Sequence, residues 1–302
     1  MARIRNQKLC RRIFFAACCV ALAFIVSACA AGNRPADPSR PRASEQPYPV
    51  TLAASEERSA RALSTWKTVA GRSATTAPEF RPVTATLRAL PSGLAAPLRL
   101  PQVTITGGEE QADEETRESL RRFIADAAPM LGVELRDLSL VEIVDEPGGI
   151  KRARYRQNPF GLPLRNGYGT LEIAFTPDLH VTELSSTAIP DSEGLRRAVA
   201  AVRQQVRAEQ ATNSLASRAI TYTDATGTAQ TRTPSAADKV AARELVVFPR
   251  LRTDDPATLE LHLAWEISVS GQGSPLFVYV DAVTGEQLAA AQTSAPDAAV
   301  VP

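Results

Sequence analysis

The run from Leu259 to Val269 constrains this chain more than any other stretch. Leu259, Leu261, Leu263, Trp265, Ile267 and Val269 alternate strictly with Glu260, His262, Ala264, Glu266 and Ser268. A period of two is that of a strand with one buried and one polar face. On this reading Glu260, His262 and Glu266 lie on the outward, solvated face. Strand-like runs flank it on both sides: Glu244-Leu-Val-Val-Phe-Pro249 and Leu276-Phe-Val-Tyr-Val-Asp281. The last is β-branched and aromatic and closes in Asp281-Ala-Val-Thr-Gly285, a turn with a glycine available for positive φ. Three such strands in order make an antiparallel meander.

The other end of the chain reads as an address. Arg3, Arg5, Lys8, Arg11 and Arg12 form a basic stretch without an acid, and 13–26 is an apolar segment too short for a membrane span. It runs into Val26-Ser-Ala-Cys29, which resembles a bacterial lipobox. That resemblance implies cleavage before Cys29, diacylation of its thiol and membrane attachment through the lipid, with the residues 1–28 removed. Each buried CH₂ of such a chain contributes about 0.8 kcal/mol. An uncleaved anchor, or a secretory peptide cut after Ala-x-Ala, are the alternatives. Ala30 after the cysteine is the pattern that implies the outer membrane and periplasm of a Gram-negative envelope. Cys10, Cys18 and Cys19 would leave with the leader, so Cys29 would be the one cysteine kept, excluding disulfides and thiol catalysis. The full chain has 34 basic and 33 acidic residues; without the five basic leader residues the balance is 29 to 33. Such a chain carries no basic footprint for nucleic acid.

Residues 29–106 are rich in Pro, Arg, Ser and Ala at their start and are assigned to a largely flexible linker. Within it, 55–69 has helical spacing of Ala62, Leu63, Trp66 and Val69, with Trp66 read as a packing residue. A first globular unit is placed at 107–190. Leu120, Phe123, Ile124, Ala127, Met130 and Leu131 recur at helical spacing, with Gly132 as the stop. Strands follow at 138–144 and 151–157, then at 171–175 and 181–185. Arg152, Arg154 and Arg156 share one strand face, opposite Ala153, Tyr155 and Gln157. That row is first a solvated face; in a functional role it would meet an acidic partner surface.

A second unit is placed at 191–296, with 297–302 a tail. Asp191 or Ser192 caps an amphipathic helix carrying Leu195, Val199, Val202 and Val206 and ending near Gln210. Residues 235–243 are assigned to a short helix before the meander.

Tyr155-Arg-Gln157, Gly161-Leu-Pro163 and Gly167, followed by a hairpin with an Asp178 turn, resemble the first element (FTP) of thermolysin- and fungalysin-type metallopeptidase propeptides. The runs 244–249, 263–267 and 280–286 resemble their second element, PepSY. The motif residues are Tyr155, Gln157, Gly161, Pro163, Trp265, Tyr279, Asp281 and Gly285, all structural. Leu164-Arg165 departs from the family, which has a β-branched residue, an aromatic and Gly there. The resemblance spans about 115–290 and implies an α+β protein of two cystatin-like units, each a helix packed on an antiparallel sheet.

The family's peptidase domain carries a His-Glu-x-x-His zinc helix. This sequence has two histidines, His180 and His262, neither in that motif. It also lacks a Gly-x-Ser-x-Gly, a P-loop and a dinucleotide fingerprint. The expectation is therefore a non-enzymatic protein without metal or cofactor. By resemblance, it would bind a secreted zinc metallopeptidase and inhibit it or assist its folding. The alternative is a structural or scaffold lipoprotein of the cell envelope that binds no peptidase.

Overall fold

A computed structural model of the chain describes residues 47–71, 77–92, 94, 96–105, 111–216, 218–224, 226–271 and 274–292. Cys29 and the leader lie outside these residues. The architecture is α+β: helices packed on antiparallel sheets.

The described residues within 47–105 correct the linker assignment there, because they are built into the fold. Strand β1 (Val50–Ala53) pairs antiparallel with the strand at Thr258–Ser270, Val50 facing Leu261. Helix α1 (Glu56–Val69) follows, its start fixed by Ser55, whose hydroxyl accepts from the Arg58 amide at 3.3 Å. Ala62 and Trp66 are buried on it, while Leu63 remains 39% exposed. The Arg58 guanidinium is buried. It donates to the Val83 carbonyl at 2.8 Å, the Ala53 carbonyl at 3.1 Å and the Asp191 carboxylate at 2.7 Å. Polar composition hid this docking, because one indole and one buried arginine do the work of a longer apolar stripe. A short hairpin, β2 (Glu79–Phe80) and β3 (Leu87–Ala89), comes next.

Helix α2 (Gln111–Leu131) turns Leu120, Phe123, Ile124, Ala127, Met130 and Leu131 inward, as the spacing predicts. Gly132 ends it at φ +67°, where an added Cβ would collide with the Thr86 methyl. The helix covers a four-stranded antiparallel sheet ordered β4 (Leu138–Glu146), β5 (Ile150–Gln157), β6 (Thr170–Phe175) and β7 (Val181–Ser186). Ala153, Tyr155, Leu171, Ile173, Phe175 and Leu184 meet α1 and α2 in one core.

The region 191–215 holds two helices where the periodicity predicts one. Helix α3 (Ser192–Ala201) stops at Val202, which is extended, and α4 (Ala208–Leu215) starts after Arg207. Tertiary contacts capture the intervening turn. The amides of Gln205 and Val206 both donate to the Ala282 carbonyl at 2.9 Å, and the Trp265 indole donates to the Val206 carbonyl at 2.9 Å. The expected side-chain cap is also absent. Asp191 sits at φ 56° and its carboxylate goes to Arg58.

Short strands β8 (Ile220–Thr223) and β9 (Ala229–Arg232) precede the meander. The meander is as expected in order and sense: β10 (Lys239–Leu251), β11 (Thr258–Ser270) and β12 (Leu276–Asp281), each antiparallel to the next, with β13 (Gln287–Ala291) added beyond. The helix expected at 235–243 is instead a turn, with Asp238 accepting from the Ser235 amide, and the start of β10. Pairing with β11 overrides local propensity there.

Candidate functional site

The alternation of β11 gives its two faces, but neither is solvated. Leu259, Leu261 and Leu263 are buried, and so are Glu260, His262, Ala264 and Glu266. β11 is the central strand, flanked by β10 on one side and by β1 and then β12 on the other. Its polar side chains therefore need partners inside the protein. They form two clusters.

The first joins Tyr48, Glu260, His262 and Asp281. Nδ1 of His262 lies 2.8 Å from the Asp281 carboxylate and Nε2 lies 3.2 Å from that of Glu260. The Tyr48 hydroxyl donates to Asp281 at 2.7 Å and accepts from the Leu263 amide at 3.1 Å. The other Asp281 oxygen accepts from the amides of Val283 (2.8 Å) and Thr284 (2.9 Å), closing the turn that Gly285 completes at φ +77°. Glu260 also receives Arg252 at 2.9 Å and lies 3.5 Å from Arg250. Asp281 was expected as a turn cap and is one. His262 as a surface histidine is a correction.

Chemically this cluster is closed. A general base needs a ring nitrogen free to take a proton, and both nitrogens of His262 face carboxylates. A metal needs ligands converging on one point, whereas these carboxylates lie on opposite sides of the ring. Among the described residues no group of three or more His, Cys, Asp or Glu is arranged to hold a metal ion. Burial pushes the Tyr48 hydroxyl pKa up, and the Asp281 carboxylate adds to it.

Burial alone would raise Asp281, but hydrogen bonds from His262, Thr284, Tyr48 and Val283 outweigh it and hold the carboxyl below its ordinary 3.8. Glu260 is likewise raised by burial but held below 4.5 by Arg252 and His262. A depressed folded-state pKa means that the unfolded chain binds protons more readily as pH falls. The stabilisation is thus complete above about pH 4.5 and is lost progressively below the ordinary carboxylate values. Urea midpoints should be flat from pH 7 to 5 and fall below pH 4.5, and the fall should be shallower in Asp281→Asn. Equal slopes in both proteins would remove Asp281 from the account.

The second cluster surrounds Glu266, whose side chain is fully buried. It receives Arg165 at 2.6 Å, Arg243 at 2.7 Å and the Tyr279 hydroxyl at 3.2 Å. Arg165 also reaches Glu244 at 2.5 Å. Burial alone would lower the Arg165 pKa; Glu266 and Glu244 outweigh it and raise the value, so the guanidinium stays charged. The neighbouring Leu164 is buried beside Val247, Leu259 and Leu261, and it bridges to Val247. The Leu164-Arg165 pair, the point of departure from the propeptide pattern, thus joins the Pro163 carbonyl and the Asn166 side-chain amide, which donates to the Pro249 carbonyl at 2.8 Å, in tying the 158–169 connection to the meander.

The remaining motif residues have structural places. Tyr155 is in the core. The Gln157 amide clamps Ile189 from both sides, donating to its carbonyl at 2.9 Å and accepting from its N–H at 2.8 Å. Gly161 lies at φ +68°, and the Pro163 carbonyl accepts from Val247. Trp265 and Tyr279 pack against cores on opposite faces of the meander.

The arginine row is on one face, as predicted, but two of its members are engaged within the sheet. Arg152 reaches Glu146 (2.5 Å) and Glu183 (2.8 Å); Arg154 reaches Glu142 (2.8 Å) and approaches Glu172 (3.8 Å). His180 pairs with Asp178. What the sequence did not reveal is an asymmetry of edges. The outer edge of β7 is covered by Thr86, Leu98 and Leu100: Val181 donates to the Leu98 carbonyl, Leu100 to the Leu179 carbonyl, and the Thr86 hydroxyl to the Ser186 carbonyl. Among the described residues β4 has no strand partner beyond β5, and it exposes Val141 (58%) and Val144 (39%).

No family model and no curated protein sequence matches this chain. The solved structures similar to it include the following two. The Bacillus megaterium YpeB C-terminal domain aligns over 63% of this chain and 69% of its own, at 10% identity and a TM-score of 0.27. An uncharacterized protein from Eubacterium rectale aligns over 78% and 83%, at 11% identity and a TM-score of 0.27. Likeness at this level carries nothing over to function.

Proposed function

We propose that this is a non-catalytic lipoprotein of the bacterial envelope, anchored through Cys29, whose propeptide-like module binds a secreted zinc metallopeptidase. It would inhibit that enzyme or assist its folding, acting in trans. The observation that carries the binding reading is the open edge of β4. An unpaired strand presents a row of N–H and C=O groups to which an extended segment can add, with side-chain contacts supplying selectivity. Val141 and Val144 are the exposed apolar contacts there and favour a segment with apolar side chains, since Glu142 and Asp145 are already matched by Arg154 and Lys151. The arginine row is the weaker candidate surface, since its charges are largely matched by glutamates of its own sheet.

The test adds the full-length protein, purified in detergent, to thermolysin-like enzymes secreted by the same cell and measures peptidase activity and complex formation. Binding is expected, and Val141→Lys with Val144→Lys should weaken it at least tenfold. Both sites are exposed, so each substitution should change stability by no more than about 0.5 kcal/mol. Envelope components recovered without any peptidase would support the scaffold alternative instead.

A further inference from the structure

Arg81 is the feature neither cluster absorbs. Its backbone amide and Nε are engaged, with the Thr86 and Ser186 carbonyls at 2.9 and 3.1 Å. Its two terminal nitrogens make no hydrogen bond, and no carboxylate lies within ion-pair distance of them among the described residues. Other partly buried arginines of this protein do have acids. Arg58 has Asp191, Arg152 has Glu146 and Glu183, and Arg165 has Glu244 and Glu266. Burial disfavours the Arg81 charge, with Tyr168 and, less strongly, Glu79 opposing that effect and Arg88 adding to it.

Arg81 lines a cavity of about 250 Å³. The cavity lies where three parts of the chain meet: the β2–β3 hairpin, the 166–168 turn and the far end of the β10–β11 hairpin at Leu251 and Pro256. Phe80, Val83, Tyr168, Leu251 and Pro256 supply apolar wall. The charged lining groups are Glu79, Arg81 and Arg88, and Glu79 is already paired with Arg88 at 2.8 Å. One positive charge is therefore left over. The guanidinium fork presents donors spaced to take both oxygens of a carboxylate. Concave, mostly apolar walls with a few polar or charged groups are the make-up of a small-ligand site.

We infer that this cavity binds a carboxylate attached to an apolar body, with Arg81 taking the carboxylate and the Phe80–Tyr168–Leu251 wall taking the rest. The volume fits one residue, so the source is either the C-terminal residue of a peptide or a free small acid. The site is separate from the β4 edge and stands whether or not a peptidase binds there.

The test is calorimetry on the full-length protein in detergent with four probes: 4-methylpentanoate, its amide, a pentapeptide ending in leucine with a free carboxylate, and that peptide amidated. The acids should bind and the amides should bind at least tenfold more weakly. Arg81→Met should abolish the difference and Arg81→Lys should restore part of it. Tyr168→Phe, which keeps the ring, should retain binding of the acids. A preference for the peptide over the small acid identifies a chain terminus as the ligand; equal binding identifies a free acid. Should Arg81→Met not fold, the acid–amide comparison on the unaltered protein still decides. Equal binding of acids and amides, or no binding of any probe, would overturn the proposal.

Discussion

Glu266→Ala should cost the protein about 3–5 kcal/mol, the loss typical of removing one partner from a buried ion cluster. The side chain is wholly buried, and it is the shared acceptor for Arg165, Arg243 and the Tyr279 hydroxyl. Without it Arg165, itself mostly buried, keeps only Glu244 as a charge partner. A folded domain is stable by roughly 5–15 kcal/mol, so the variant sits near the margin. The cost arises from what is left behind, not from the worth of the pair. Replacing Glu266 and Arg165 together with Leu and Met should therefore recover a large part of it. Glu244→Ala is the control, since that carboxylate is 40% exposed, and should cost about 1 kcal/mol or less. Urea unfolding at pH 7 measures all three. A loss below about 1 kcal/mol in Glu266→Ala would show that Arg165 finds water or another acceptor, and that the cluster is not part of what holds the 158–169 connection to the meander.

The meander and the helix on the first sheet were legible because both rest on periodicity: two for Leu259 to Val269, and three to four for Leu120 to Leu131. Periodicity reports which side chains share a face. It does not report what covers that face. Glu260, His262 and Glu266 therefore looked solvated, although Tyr48, the 165 turn and four arginines close over them. The signal that was present is composition: two acids and a histidine on one face of a strand, with Arg243, Arg250 and Arg252 nearby in the chain. The break between α3 and α4 was invisible for a related reason. Val202 and Val206 keep the helical spacing, and only the Ala282 carbonyl and the Trp265 indole, distant in sequence, pull the turn out. The cavity around Arg81 draws its walls from three separated segments, so no local window contains it.

Trp66→Ala should lower stability by about 3–5 kcal/mol, the range for deleting a buried aromatic side chain. If 47–71 were a tether, the same substitution would leave unfolding unchanged. The expectation of a large effect follows from position. Trp66 is 2% exposed, Ala62 is fully buried, and both lie in one core with α2 and the inner faces of β5, β6 and β7. The indole packs where the apolar stripe of α1 is narrow, so no neighbour on that helix can fill the space it leaves. Three contacts of Arg58 hold the helix in place from the other end, so the cavity cannot collapse by sliding α1 inward. Leu63→Ala on the same helix is the internal control. At 39% exposure it should change stability by no more than about 0.5 kcal/mol, separating loss of packing from loss of helix propensity. Trp66→Phe should fall between the two, because a smaller ring fills part of the site. Should Trp66→Ala and Leu63→Ala unfold at the same urea concentration, α1 would not be packed on the first core.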